Sequence, residues 1–145
     1  MAVFSEGFTF KVGDSAGPDV YAEMALLEVP EIFSAGKSTF ARRTTADTGN
    51  TKVYGLGLED GEEISVVCER DFTSTTQDLL RTAYADAAQI NCQFIFTDGT
   101  IVETNTAGFL VTSTPVTGTD PNGDGENVRQ TFNLKRNSDW VTAEV

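Results

Sequence analysis

Histidine is absent from the 145 residues. That removes Ser-His-Asp and Cys-His nucleophile systems, imidazole acid–base chemistry and histidine metal ligands together. Cysteine is scarce: Cys68 and Cys92 form neither a CxxC nor a metal-ligand spacing. Both fall in strand-like sequence and read as buried free thiols. A disulfide framework is not expected in a chain able to build its own core. No apolar run approaches the roughly 18 residues that a membrane span requires. The opening MAVFSEGFTF has neither a charged n-region nor an apolar h-region, so no secretory signal is expected. Positive charge is also short: 10 Lys and Arg stand against 22 Asp and Glu, a net charge of −12. No basic patch of the kind that grips a nucleic-acid backbone is visible. The acidic excess serves solubility, or a surface that does not hold a passing polyanion, and composition alone does not choose between them.

What the sequence does contain fits one domain spanning 1–145. A chain of this length buries about 70% of its unfolded surface, and a 39% hydrophobic content with ten Phe is enough to fill a core. Phe8-Thr9-Phe10-Lys11-Val12 alternates and predicts a first strand. Tyr21–Ile32 is ambiguous. Ala22 to Glu28 favour helix, whereas Pro30 pushes Val29 towards extended geometry. From Phe33 to Lys52 the chain is rich in Ser, Thr, Gly and Ala, with no period of 2 or 3.6. About twenty residues without a regular element is long for a compact domain, and such loops are usually functional or mobile.

The stretch Val53–Phe72 is Gly-rich at its start and carries the turn signal Asp60-Gly61. Ile64, Val66 and Cys68 then share one face of a predicted half-buried strand, with Ser65 and Glu69 opposite. Ser74 or Thr75 caps a predicted helix that ends near Ala88, with Leu79, Leu80, Ala83, Tyr84 and Ala87 on its apolar face. Asn91–Thr97 and Thr100–Thr104 read as a hairpin around Asp98-Gly99. Gly108–Val116 and Val128–Lys135 supply further strands. Six or seven strands with one helix and no repeat predict a mainly β fold, a sandwich or barrel with a flanking helix.

Three motifs invite a chemical reading. Gly36-Lys37-Ser38-Thr39 looks like the end of a phosphate-binding P-loop, but the pattern G-x4-GK[ST] needs its first glycine at residue 31, which is Glu31. Asp120, Asn122, Asp124 and Gly125 match the first half of an EF-hand loop, yet the closing glutamate is Thr131 and the flanks are strands. The plainer reading is a polar hairpin loop, with weak calcium binding as the alternative. Glu59, Asp60, Glu62, Glu63, Glu69 and Asp71 crowd one turn and one strand face. Paired carboxylates run glycoside hydrolysis, but this crowding reads as a solvated charged surface. No catalytic residue, cofactor or metal site is expected.

The order of these features resembles the major tail tube proteins of long-tailed phages, in particular the lambda-like, non-contractile group. Met24–Ile32 followed by a long Ser/Thr-rich loop is similar to the family's second strand and extended loop. Gly55-Leu56-Gly57-Leu58-Glu59-Asp60-Gly61-Glu62 is similar to the G-L-x-D-x-G-E segment that opens its next strand. The helix, the Phe94–Thr100 hairpin, Gly108-Phe109-Leu110-Val111 and a final strand ending near Lys135 keep the family's order. The match spans roughly Phe8–Arg136.

The resemblance implies a non-enzymatic virion protein whose copies form hexameric rings, stacked into a hollow tube for DNA ejection and assembled in the bacterial cytoplasm. It implies a tape-measure protein, a tail terminator and baseplate or tip proteins as partners, with DNA passing unbound. It turns Met24–Ile32 into a strand. Some relatives carry an immunoglobulin-like C-terminal domain, and the sequence to Val145 leads us to expect none. Candidate inter-subunit or inter-ring contacts are Phe40, Arg42, Arg43, Thr44 and Thr45 in the assembly loop 33–52, and Trp140 in the tail 137–145. Trp140 packs equally well within its own subunit. The N-terminal arm 1–7 is a further candidate bridge. Ser65, Glu69 and Glu103 are candidate lumen residues. Two other readings stand beside this one: a tube subunit of a related secretion machine, and a monomeric all-β module binding a sugar or an ion.

Overall fold

The computed structural model describes residues 7–42, 53–118 and 128–145. Its strands are β1 (Phe8–Gly13), β2 (Tyr21–Met24), β3 (Lys37–Arg42), β4 (Val53–Glu59), β5 (Glu63–Glu69), β6 (Gln89–Asp98), β7 (Ile101–Ser113), β8 (Val116–Thr117), β9 (Arg129–Arg136) and β10 (Val141–Glu144). One helix, α1 (Thr75–Ala85), lies between β5 and β6. The mainly β fold with a single flanking helix is as expected, with more strands among the described residues than the six or seven read from the sequence.

Eight strands form one antiparallel sheet in the order β2-β1-β6-β7-β9-β5, with β10 added to β7 and β8 to β9. The Leu27 N–H, just beyond β2, donates to the Val67 carbonyl of β5 at 2.8 Å. This bond links the two ends of the strand order, so the sheet curls on itself like a barrel. Register then fixes which side chains point inward. Val12 lies opposite Cys92, Phe10 opposite Phe94, Ala107 opposite Cys92, and Val66 opposite Phe132. All of these are buried. Phe10 and Phe94 sit 5.0 Å apart between ring centroids, and Phe94 meets Phe109 edge-on at 5.8 Å. Such pairs contribute about 0.5–1.5 kcal/mol beyond the burial of their area.

The helix starts where its cap chemistry dictates. Ser74 Oγ accepts from the Gln77 N–H at 3.3 Å. The Gln77 side chain turns back to the β5–α1 connection, donating to the Glu69 carbonyl at 2.8 Å and accepting from the Asp71 N–H at 3.0 Å. Leu80 and Ala83 enter the core, while Tyr84 of the expected apolar face is exposed. The helix stops at Ala85, short of Ala88, because Ala87 takes a left-handed φ of 51°.

Four differences from the sequence reading have physical causes. The strand expected at Met24–Ile32 lies earlier, at Tyr21–Met24, and only the Leu27 bond to Val67 continues the pairing. Thr100–Thr104 and Gly108–Val116 fuse into the 13-residue β7. Its polar middle is tolerated because buried Asn105 is satisfied: Nδ2 donates to the Phe94 carbonyl (3.2 Å) and to Glu103 Oε1 (2.9 Å), and Oδ1 accepts from Thr142 (2.8 Å). The long loop contains a regular element after all: β3 pairs with β4 as a separate two-stranded sheet. The tail is also ordered as a strand, with β10 pairing residues 103–106 of β7.

Candidate assembly surfaces

The β3–β4 hairpin stands off the barrel, since neither strand joins the main sheet. Its exposed side is apolar. Tyr54, Leu56 and Leu58 of β4 are 57%, 68% and 92% exposed. Tyr54 and Leu56 share a face by alternation, and Leu58 follows where the register with β3 shifts between Lys37 and Thr39. Gly57 lies against Ser38, so close that a Cβ would strike the serine hydroxyl. Large side chains left in water on a free two-stranded sheet mark a surface that packs against something else.

The root of the hairpin is held by a buried ion cluster. Arg136, last residue of β9, has a side chain 5% exposed. Its Nε donates to Glu62 Oε1 at 2.7 Å, its Nη2 to Glu59 at the end of β4, and its Nη1 to the Ser138 carbonyl at 2.9 Å. Glu62 Oε1 also accepts from Trp140 Nε1 at 3.1 Å, and Glu62 Oε2 from the Ala35 N–H, just before β3, at 3.1 Å. Burial pulls the arginine pKa down. The hydrogen bond and charge of Glu62, then those of Glu59, outweigh it, so the pKa lies above the ordinary arginine value. Gly61 completes the junction: a Cβ there would fall on the Arg136 carbonyl.

The sequence-predicted contacts divide. Phe40 lies opposite Gly55, and Arg42 opposite Val53, on the hairpin. Arg43, Thr44 and Thr45 lie outside the described residues, as do 1–6 of the N-terminal arm and the calcium-like loop Asp120–Asp124. Trp140 makes contacts within its own subunit. It is half-buried, with ring centroids 4.8 Å from Phe33, 5.7 Å from Phe109 and 5.8 Å from Phe94.

Ser65 and Glu69 are exposed on the outer face of β5, and Ser65 Oγ is 2.6 Å from Asn133 Oδ1. Glu103 has the inward parity of Asn105 and Ala107 on β7, so it lies on the opposite face from Ser65 and Glu69. The Gly36–Thr39 motif opens a strand, where a P-loop would open a helix. The acidic turn is not a uniformly solvated surface. Glu62 is buried against Arg136, while Glu63 and Glu69 are exposed.

Sequence reasoning missed Arg136. The signal was available, because Phe132, Leu134 and Arg136 alternate on the inward face of β9. An arginine at an inward position asks for a buried carboxylate.

The remaining features offer little chemistry. An open groove of about 470 Å³ runs along Phe8–Phe10 and Glu23–Val29, with apolar walls from Phe8, Met24 and Leu26 and carboxylates at Glu23 and Glu28. Among the described residues no group of three or more Cys, Asp or Glu is placed to hold a metal ion, and no helix is long and apolar enough to cross a membrane. Burial pushes the Cys68 thiol up to about 11, with Arg81 opposing, and raises Cys92 further. Neither is a nucleophile at neutral pH.

No family model matches the sequence, and no curated protein matches it. The fold does match solved structures along nearly the whole chain. A chain of the SPP1 tail tube superposes with a TM-score of 0.67 and 11% identity, covering 97% of this chain and 78% of that one. A chain from the PVC sheath/tube terminator of an extracellular contractile injection system gives 0.70 and 12%, over 99% and 97%. A chain from the six-fold symmetrised baseplate of the anti-feeding prophage gives 0.72 and 9%, over 99% and 96%. The chain therefore has the tail tube fold. The likeness covers both phage and contractile injection assemblies, and so is wider than the lambda-like, non-contractile group that the sequence suggested.

Proposed function

We propose that the chain is a structural subunit of a tail tube, one that self-assembles into stacked rings around a hollow conduit. The observation that carries this reading is the fold, shared over 97% of this chain and 78% of a chain of the SPP1 tail tube. The hairpin supports it, because a projecting sheet with exposed Tyr54, Leu56 and Leu58 is what a subunit needs to reach its neighbour. Six copies per ring is the number we infer, in line with the six-fold symmetry of the anti-feeding prophage baseplate.

In this reading the hairpin, with Phe40, Arg42, Arg43, Thr44 and Thr45, makes the contact between subunits or rings. Trp140 braces the subunit internally. The outer face carrying Ser65 and Glu69 lines the lumen, and Glu103 does not. A ring of six multiplies a net charge of −12 six-fold, and like sign keeps phosphate from sticking to the wall. The conduit then serves DNA ejection, holds a tape-measure protein beforehand, and is closed by a terminator and a baseplate or tip. The subunit is assembled in the bacterial cytoplasm, resides in the virion and performs no catalysis.

Negative-stain electron microscopy of the concentrated protein tests this. Long hollow filaments or six-fold rings are expected, and a uniformly monomeric particle under all conditions would sink the proposal. A second reading keeps the tube but places it in a contractile injection machine, favoured by the likeness to the PVC sheath/tube terminator. It predicts that assembled tubes recruit a sheath subunit encoded beside them, and bare tubes in that mixture would count against it.

A further inference from the structure

Three parts of the chain meet at one guanidinium. The lead-in to β3 arrives through the Ala35 N–H on Glu62 Oε2, at 3.1 Å. The end of β4 arrives through Glu59 on Arg136 Nη2. The C-terminal segment arrives through the Ser138 carbonyl on Arg136 Nη1 at 2.9 Å, and through Trp140, whose ring lies 5.7 Å from the Arg136 Cζ. Arg136 itself is fixed to the barrel, because its N–H donates to the Glu62 carbonyl at 3.0 Å and it pairs with Phe109. Besides this junction, the described ties at the hairpin root are the short β4–β5 link, the exposed Lys135–Asp60 pair at 3.6 Å and the contact of Phe33 with Trp140. A single ion pair would leave the hairpin free to swing about one point. Attachment of both strands to one Glu62–Arg136 pair removes that freedom.

We infer that Arg136 is a positioning residue, which through Glu59 and Glu62 sets the direction in which the hairpin leaves the barrel and ties that direction to the C-terminal strand β10. The bearing of this on assembly rests on the tube reading, whereas the geometric claim concerns the isolated subunit. Arginine suits the task because its planar fork serves several acceptors in fixed directions, which a lysine ammonium does not.

The test separates positioning from stability. Removing Arg136 alone leaves Glu62 buried and unpaired, which destabilises any fold. The double variant Arg136→Met/Glu62→Gln removes both charges and keeps most of the volume, so the barrel stays folded. Spin labels are placed at Thr39→Cys on β3 and Ala85→Cys at the end of α1, both exposed, while the buried Cys68 and Cys92 stay unlabelled. Distances are read by pulsed electron resonance on monomer. The parent should give one narrow distribution, and the double variant one broadened about twofold or more, with a melting temperature within about 5 °C of the parent. Should the double variant fail to fold, Glu59→Gln, at a partly exposed position, loosens the β4 root alone and should broaden the distribution as well.

A parent distribution that is already broad, or folded variants as narrow as the parent, would overturn the inference. Because the distances are read on monomer, a failure of the protein to form tubes would count against the tube reading and not against this one. If tubes do form, the double variant should yield about tenfold fewer of them at equal concentration, and rescue by Arg136→Lys should be incomplete. Tube yield equal to the parent's would overturn the bearing of Arg136 on assembly.

Discussion

The barrel and the β3–β4 hairpin belong to one chain but are held by different physics. The barrel buries Phe10, Phe94, Phe109 and Phe132 completely, and its register leaves inward polar groups satisfied. Its stability comes from apolar area removed from water, at roughly 25 cal/mol per Å². The hairpin turns Tyr54, Leu56 and Leu58 outward, and its described attachment to the barrel is the short β4–β5 link with a small ionic junction and the Phe33–Trp140 contact at its root. One region is complete within the subunit. The other leaves Tyr54, Leu56 and Leu58 exposed, and in the proposed tube a neighbouring subunit would cover them.

The contrast is open to attack from both sides. The largest effect should come from the barrel: Phe94→Ala, at the meeting point of the aromatic rings, is expected to cost about 3–5 kcal/mol in urea unfolding. Arg136→Met alone should cost about 3 kcal/mol by the same measurement, by stranding Glu62, and pairing it with Glu62→Gln should recover most of that loss. On the hairpin the ranking inverts. Leu56→Ser with Leu58→Ser should change stability by under about 0.5 kcal/mol, because neither side chain is buried in the subunit, while abolishing filaments in electron micrographs. A double serine variant that unfolds would mean that these leucines pack within their own chain.

Chemical labelling adds a smaller discrimination. In native protein Cys68 and Cys92 should resist an aromatic disulfide reagent at pH 8, since burial raises both thiols, and both should react within minutes in denaturant. The least effect is electrostatic. The Asp71 carboxyl is held below its ordinary 3.8 by hydrogen bonds from the Thr73 hydroxyl and then the Thr73 N–H. Its folded pKa is therefore below the unfolded one. Its stabilising contribution is present above about pH 4 and is lost as pH falls through the folded value. Asp71→Asn should slightly flatten the acid limb of a stability–pH curve and leave the neutral region nearly unchanged.

Where burial wrote a pattern into the sequence, the pattern was legible. Phe8–Val12 alternates because Phe10 and Val12 face the core, and it forms β1. Asp98-Gly99 turns the β6–β7 hairpin, with Gly99 at a φ of 59°. Ser74 caps α1 as its hydroxyl chemistry requires. Elements that bury little left no such trace. The hairpin strand β3 reads KSTFAR, which carries no apolar alternation, and the Tyr54, Leu56, Leu58 alternation of β4 lies on an exposed face. Strand β10 is exposed at all four positions, and its one described side-chain bond to β7, from Thr142 to Asn105, joins polar groups and so leaves no apolar period. Arg136 and Asn105 were hidden by the opposite problem. They are polar residues on inward faces, intelligible only once their partners Glu62 and Glu103, distant or adjacent, are brought together by the fold. The candidate site therefore falls largely in the part of the chain where periodicity is silent.

Sedimentation velocity on concentrated wild-type protein beside the Leu56→Ser/Leu58→Ser variant tests the central claim most directly. The account predicts that the wild type sediments as rings and longer assemblies, multiples of the 15.6 kDa chain, while the variant sediments as a folded monomer. A wild type and variant that sediment alike, whether both monomeric or both assembled, would contradict it.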